Sequence, residues 1–167
     1  AFGLAAPVQA EGEQIILVSH APDSDSWWNT IKNAIALAGE QMDVDVEYRN
    51  PPTGDLADMA RIVEQAAAQG PDGIIVTIAD FDVLEGPITS AVDQGIPVIT
   101  INSGTIEQSK ELGALMHVGQ PEYDAGFGAG ERAKAAGATS FLCVNHYITN
   151  PASVERCQGF ADALGVD

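Results

Sequence analysis

The chain has 167 residues, of which 46% are hydrophobic, and its 24 acidic and 7 basic residues give a formal net charge of −17. The apolar content is typical of a globular protein and excludes a disordered one. The negative charge would repel phosphates, so it argues against binding to nucleic acid or to anionic lipid surfaces. No apolar run reaches membrane-spanning length, so we expect no membrane insertion.

Strand and helix signals alternate through the first hundred residues. Apolar, β-branched runs predict buried strands at 14–19, 44–50, 73–78 and 98–101. Apolar residues at helical spacing predict three helices. The first follows Ser26 as its N-cap, the second begins at Asp55, and the third has Pro87 in its first turn. This alternation predicts an α/β fold, with a parallel, flavodoxin-like sheet and helices on both faces.

The pattern changes past Gly104. Residues 105–111 are polar and are expected to be irregular, and 112–119 contain a short strand. A helix over 121–136, a buried strand over 140–145 and a helix over 152–164 are expected to follow. We therefore expect residues 11–103 to form a first α/β lobe and residues 104–167 the beginning of a second, incomplete lobe.

Residues 1–10 are uncharged and rich in small apolar side chains. They end in Val8-Gln9-Ala10, and an acidic segment follows. This pattern is typical of the end of a secretory signal peptide, which has a small-x-small cleavage site. The alternative is an N-terminal tail without fixed structure. The signal remnant is the favoured interpretation, and it implies export.

Polar residues follow three of the predicted buried strands. Asn102 and Ser103 come directly after one strand, His20 follows the first, and His146 follows the strand at 140–145. Ligands of open α/β sheets bind at the carboxyl ends of the strands. An amide and a hydroxyl there can both donate and accept hydrogen bonds, as the recognition of neutral hydroxyl groups requires. His20 and His146 fit a pocket contact and a loop role equally well.

The only two tryptophans of the chain, Trp27 and Trp28, are adjacent at a predicted helix start. Neighbouring residues there point in different directions, so one indole can pack inward while the other faces the strand ends. An indole face is a suitable platform for the C–H face of a sugar ring. Asp25, just before the pair, fits a role in hydroxyl binding, and solvation is the alternative.

Signatures of catalysis and of metal binding are missing from the sequence. Gly126, Gly128 and Gly130 resemble a phosphate loop, but they lie inside a predicted helix, where close helix packing is the better explanation. The sequence has no nucleophile elbow, and its three histidines lack the partners that a metal site needs. His117 is interpreted as a structural residue of a strand. We expect a protein that is not an enzyme and that needs no cofactor.

The two cysteines, Cys143 and Cys157, fall in a predicted strand and in the following helix. Two buried free thiols are the favoured outcome. A disulfide is the alternative, since an exported protein can oxidise two cysteines that face each other.

Several segments, in this order, resemble the periplasmic sugar-binding proteins of the ribose-binding type. The similarity covers nearly the whole chain after Glu13. Its segments are the strand ending in Ser19, the pair Trp27-Trp28, Gly70-Pro71-Asp72-Gly73-Ile74-Ile75-Val76, Ile96-Pro97-Val98-Ile99-Thr100-Ile101-Asn102-Ser103, Val118-Gly119-Gln120 with Tyr123-Asp124-Ala125-Gly126, and Ser153-Val154-Glu155-Arg156 with Gly159-Phe160.

This resemblance implies a periplasmic solute-binding protein of two α/β lobes that binds a small molecule between them and delivers it to the membrane permease of an ABC importer. It implies a neutral sugar or polyol as ligand, with first-lobe contacts from Asp25, Trp27 and Trp28. Their positions at strand ends add His20, Asn102, Ser103 and His146 to the predicted ligand-binding residues, His146 for the opposing wall. Asn102 and Ser103 stand where many relatives carry Asp and Arg, and Val154 is taken as the replacement of another arginine. Relatives are about twice as long, so the chain resembles part of such a protein.

Three alternatives are weighed against this interpretation. The same fold serves as the effector-binding domain of LacI-type repressors, against which the signal-like start counts. A binding protein can also present its ligand to a membrane chemoreceptor or sensor. An enzyme on a flavodoxin-like fold would need a phosphate loop or a nucleophile, and neither is found in the sequence.

Overall fold

The computed structural model describes residues 12–145 and 150–166, in which strands and helices alternate. The strands are β1 (Gln14–Val18), β2 (Asp45–Arg49), β3 (Gly73–Val76), β4 (Val98–Ile101) and β5 (Met116–Val118). The helices are α1 (Trp28–Met42), α2 (Leu56–Ala68), α3 (Phe81–Asp93), α4 (Ile106–Glu111), α5 (Glu122–Ala135) and α6 (Pro151–Leu164). The signal-like segment 1–10 and His146 lie outside the described residues.

The five strands form one parallel sheet in the order β2-β1-β3-β4-β5. The chain reverses its direction across the sheet after β2, so β1 and β3 become neighbours and their carboxyl ends lie together. The predicted α/β fold, a parallel sheet with helices on both sides, is confirmed. β5 follows the expected lobe boundary at 103–104 and is still hydrogen-bonded to β4, so this sheet extends past that point.

The main core lies between the sheet and the helices α2 and α3. Ile16 and Val18 of β1 face Met59 and Val63 of α2, and all four side chains are fully buried. Leu17 points to the opposite face by strand alternation and is buried as well. The near-continuous apolar runs of the central strands follow from this burial on both faces.

The starts of the helices differ in part from the sequence predictions. Asp55 caps α2 as expected, accepting a 2.9 Å hydrogen bond from the backbone N–H of Asp58. Ser26 does not cap α1, because the N-cap position is occupied by Trp27, whose own N–H donates to Asp25 Oδ1. α3 begins earlier than predicted, because Asp80 caps it and leaves Pro87 inside the helix.

The segment 105–111 is not irregular as expected, because it contains the short helix α4. Thr105 Oγ1 accepts from the N–H of Gln108, and the Gln108 side chain accepts from the N–H of Thr105. This reciprocal capping box satisfies two N–H groups that would otherwise lack partners at the helix start. The Thr-x-x-Gln spacing in the sequence was the signal for this helix.

Helices α5 and α6 pack closely through glycines, as predicted for the run that resembles a phosphate loop. A Cβ on Gly126 would collide with the backbone carbonyl of Arg156, and one on Gly159 would collide with that of Tyr123. A Cβ on Gly130 would lie 2.6 Å from the carbonyl oxygen of Phe160. Only glycine permits the two backbones to approach this closely.

The predicted buried strand at 140–145 is wrong. The segment has no regular structure, and Leu142 is 87% exposed. A strand needs a neighbour to pair its backbone groups, and none of the five described strands pairs with this segment.

The expectation of two free thiols is also wrong, because Cys143 and Cys157 form a disulfide. Their Cα atoms are 5.9 Å apart, within the usual span of a disulfide. The bond ties the segment 140–145 to α6.

Candidate functional site

A cleft of about 740 Å³ opens between the carboxyl edge of the sheet and the first turns of α5 and α6. Six of the seven residues predicted from the sequence line it. They are His20, Asp25, Trp27, Trp28, Asn102 and Ser103. The parallel sheet brings them together, because the loops that follow β1 and β4 leave the sheet at the same edge.

The two tryptophans have different environments, as the sequence predicted. Trp28 is 3% exposed and makes edge-to-face contacts with Trp27, at 5.3 Å between ring centroids, and with His20, at 5.5 Å. Trp27 is 54% exposed. Trp28 therefore supports the wall of the cleft from within, and the Trp27 indole is the aromatic surface that is open to a ligand.

His20 lies in the cleft wall and connects two strands. Its backbone N–H donates to Thr77 Oγ1 at 3.1 Å, and its Nδ1 lies 2.9 Å from the same oxygen. Thr77 follows β3, so these hydrogen bonds join the ends of β1 and β3 where the strand order reverses. Of the two roles considered for His20, the pocket contact agrees with its position in the cleft lining.

Behind His20, the phenol of Tyr48 packs near Trp28, with ring centroids 6.3 Å apart. Its hydroxyl lies 2.6 Å from Ser19 Oγ. Burial raises the pKa of the Tyr48 phenol, and the hydrogen bond to Ser19 opposes this rise. The phenol is therefore neutral near pH 7, and it supports the aromatic wall without adding charge.

Asn102 and Ser103 have separate tasks at the end of β4. Asn102 adopts a left-handed backbone conformation, with φ of 60°, which asparagine tolerates better than most residues. Its N–H donates to the carbonyl of Val118 at 3.1 Å, and its side chain is exposed in the cleft. Ser103 is buried and donates to Asn102 Oδ1 at 3.0 Å, so the serine orients the amide.

Asn150 connects the sheet to α6. Its Nδ2 donates to Ser103 Oγ at 2.9 Å, and its Oδ1 caps α6 by accepting from the N–H of Ala152 at 3.1 Å. One buried amide thus fixes the start of α6 against the end of β4. Asn150 was not predicted as a site residue, although Asn before Pro151 at a helix start is a capping signal.

The charged part of the cleft, Glu122 and Arg156, was not predicted from the sequence either. The Arg156 Nε donates to Glu122 Oε2 at 2.6 Å, and Nη2 lies 2.5 Å from the same oxygen. Val154, which was taken to stand where relatives carry an arginine, is exposed and does not line the cleft. The guanidinium that lines the cleft belongs instead to Arg156, two positions after Val154.

Gln120 was a further accessible signal. It lies two positions after the end of β5, and its Nε2 donates to both oxygens of Glu122, at 3.1 and 3.2 Å. The rule that polar residues after a strand line the site applies to β5 as well.

Beside the cleft, His117 joins β5 to β4. Its Nδ1 lies 2.8 Å from Thr100 Oγ1, which donates to Ser109 Oγ at 2.9 Å. Burial lowers the pKa of His117, and Glu107 and Glu122 oppose this change. The hydrogen bonds agree with the structural strand role predicted for this histidine.

The described ranges 12–145 and 150–166 contain no group of three or more His, Cys, Asp or Glu side chains that could hold a metal ion. In the same ranges, no helix has the length and apolarity needed to cross a bilayer.

Residues 15–166 match the family model described as a periplasmic binding protein domain. The chain belongs to the periplasmic binding protein family. This confirms the resemblance drawn from the sequence, and the family is one of binding proteins and not of enzymes. Among curated proteins, no match is significant.

Several solved structures of binding proteins are similar to the chain. A carbohydrate transporter from Acidothermus cellulolyticus 11B, in complex with myo-inositol, is 35% identical with a TM-score of 0.87, over 93% of this chain and 54% of the other. A glucose-galactose binding protein from Geobacillus stearothermophilus is 28% identical, with a TM-score of 0.82 and coverages of 93% and 54%. An arabinose binding protein from the same organism is 26% identical, with a TM-score of 0.74 and coverages of 92% and 52%. The chain thus spans about half the length of these proteins.

Proposed function

We propose that this periplasmic binding protein binds a small neutral sugar or polyol in the cleft between the sheet and α6. The observation that carries the proposal is the lining of the cleft, which combines an exposed indole at Trp27 with an oriented amide at Asn102 and a carboxylate at Asp25. An indole face suits the C–H face of a sugar ring, and the polar groups suit its hydroxyls. The similar structures named for myo-inositol, glucose, galactose and arabinose support the same ligand class.

Each predicted residue has its own task in this proposal. Trp27 stacks on the ligand, while Asn102 and Asp25 bind its hydroxyls. Trp28 and Ser103 are buried and hold Trp27 and Asn102 in place. His20 lines the wall beside them, and a ligand contact of His146 stays a prediction.

Arg156 provides the opposite wall, since it reaches the cleft from α6. A guanidinium has five N–H donors, so it can hold Glu122 and still donate to ligand hydroxyls. A ligand that binds Trp27 and Arg156 at once would favour the closed arrangement of the two lobes that a membrane permease recognises. We include delivery to an ABC permease and an exported, periplasmic location in the proposal.

The proposal is tested by calorimetric titration of the complete protein with myo-inositol, D-glucose, D-galactose and L-arabinose. We expect at least one of them to bind, and we expect Trp27→Ala and Asn102→Ala each to weaken that binding by about tenfold or more. Leu37→Ala and Asn33→Ala are matched controls, because both residues are exposed on α1 and neither lines the cleft. Binding that survives both cleft substitutions, or the lack of binding to any neutral sugar or polyol, would contradict the proposal.

A further inference from the structure

The carboxylate of Glu122 is buried at the edge of the cleft. Its side chain is 7% exposed, although a charged side chain is seldom buried without compensation. The compensation comes from Gln120 Nε2, at 3.1 and 3.2 Å, and from Nε and Nη2 of Arg156, at 2.6 and 2.5 Å. Glu122 is therefore held by a fixed set of donors at the point where β5 leads into α5.

Arg156, the ion-pair partner of Glu122, is exposed, whereas the carboxylate is buried. The Arg156 side chain is 51% exposed and lines the cleft from α6. Both contacts to Glu122 end on the single oxygen Oε2 and involve Nε and Nη2, so Nη1 takes no part in the ion pair. The carboxylate thus fixes one edge of the planar guanidinium and leaves the far end directed away from the pair.

The charges of the cleft point to uncharged ligands. Asp25, Glu122 and Arg156 are the charged residues among those that line it, two carboxylates and one guanidinium. Glu122 neutralises Arg156 at contact distance, and Asp25 adds a negative charge. A carboxylate on a ligand would meet a guanidinium whose charge is already compensated by Glu122, together with the like charge of Asp25.

We propose that Glu122 is a positioning residue that fixes the guanidinium of Arg156 and thereby makes the cleft selective for uncharged over carboxylate-bearing sugars. This inference rests on the proposed binding of neutral sugars. In it, Glu122 acts on the ligand through Arg156, and the immobilised guanidinium loses less conformational freedom when it binds hydroxyls.

The test is the isosteric substitution Glu122→Gln in the complete protein, with Kd measured calorimetrically near pH 7. The neutral probes are myo-inositol, D-glucose, D-galactose and L-arabinose, and the anionic probes are D-glucuronate and D-galacturonate. We expect the ratio of the uronate Kd to the neutral-sugar Kd to fall by about tenfold or more, because Arg156 becomes an uncompensated cation. We expect the neutral sugars themselves to bind more weakly.

Three further variants separate this role from a merely structural one. Glu131→Gln removes an exposed carboxylate of α5, the helix that begins at Glu122, but one outside the cleft lining, and it should leave the Kd ratio unchanged. Combining Glu122→Gln with Arg156→Gln should abolish the gain in uronate binding, because no cation is left to attract the carboxylate. Glu122→Asp, which keeps the charge and shortens the reach, should weaken neutral-sugar binding while uronates stay excluded.

The outcomes are distinguishable. If the wild-type protein binds a neutral probe and Glu122→Gln leaves the Kd ratio unchanged, the inference is overturned and the proposed function stands. Should Glu122→Gln fail to fold, a Glu122→Asp variant with unaltered affinity for the neutral probe would overturn it equally. If the wild-type protein binds none of the neutral probes, the proposed function fails and this inference fails with it.

Discussion

Two regions of the molecule are built on different principles. The sheet half, residues 12–118, buries large aliphatic side chains such as Ile16, Ile74 and Ile88 in one continuous core. The helical pair, α5 and α6, buries mostly small residues where the helices cross. The sheet half is therefore stabilised by the removal of apolar area from water, whereas the helical pair depends on close backbone approach.

The helical pair is further secured by polar contacts and by the disulfide. Tyr123 donates to Asp162 at 2.7 Å, and Arg156 binds Glu122. The nearby Val144 is highly exposed, whereas no residue of the central strands β1, β3 and β4 is exposed. The aromatic wall of the cleft, with Trp27 and Trp28, thus belongs to the well-packed region. The charged wall, with Glu122 and Arg156, belongs to the region with the smaller core.

The largest effect should come from the core of the sheet half. Ile16→Ala removes a fully buried side chain between the sheet and α2, and we expect a loss of roughly 2–5 kcal/mol in the free energy of unfolding. Denaturant titration measures this loss. Leu37→Ala on the exposed face of α1 is the control, with an expected change within about 0.5 kcal/mol. Similar losses from the two variants would contradict the described core.

The disulfide should matter for the helical pair in particular. It closes a loop with a sequence separation of 14, for which the chain-entropy model gives about 3 kcal/mol. We expect the double substitution Cys143→Ser with Cys157→Ser to accelerate hydrogen exchange in α6 much more than in β1. Equal acceleration in both elements would show that the sheet half and the helical pair unfold as one unit, and it would contradict their separate stabilisation.

Two glycines of α5 provide an internal test of the close crossing. Gly126→Ala would push a methyl group into the backbone of Arg156, and we expect it to destabilise the protein by about 1–3 kcal/mol. Gly128→Ala meets no atom within 4 Å, so the higher helix propensity of alanine should stabilise the protein by up to about 1 kcal/mol. Thermal unfolding of the two variants should show shifts in melting temperature of opposite sign. Shifts of the same sign would contradict the close crossing of α5 and α6.

The smallest effect concerns pH at the junction of the two regions. Burial lowers the pKa of His117, so the unfolded chain takes up the proton at a higher pH than the folded one. The contribution of His117 to stability is therefore complete above the unfolded pKa of about 6.5 and is lost as pH falls through the lowered folded pKa. We expect the melting temperature of the wild type to drop more between about pH 7.5 and about pH 5 than that of His117→Gln. Parallel pH profiles would show that His117 does not titrate in this way.

The sequence by itself determined the alternating fold and one wall of the cleft. The apolar runs and helical spacings act over short distances, and a parallel arrangement places the carboxyl ends of the strands at one edge. Trp27 and Asn102 could therefore be selected from their positions alone. The helix α4 was also within reach, since its capping box is a local signal.

Only the tertiary structure decided the other wall. Glu122 and Arg156 are 34 residues apart, and their contact depends on how α5 crosses α6. The same crossing requires glycine at position 126, and the disulfide depends on where the segment 140–145 lies against α6. The run at 140–145 has the composition of a strand but remains irregular, because composition cannot supply the neighbouring strand that its backbone needs. Local pattern fixes each element, whereas the pairing of distant side chains and strands is fixed only when the elements pack.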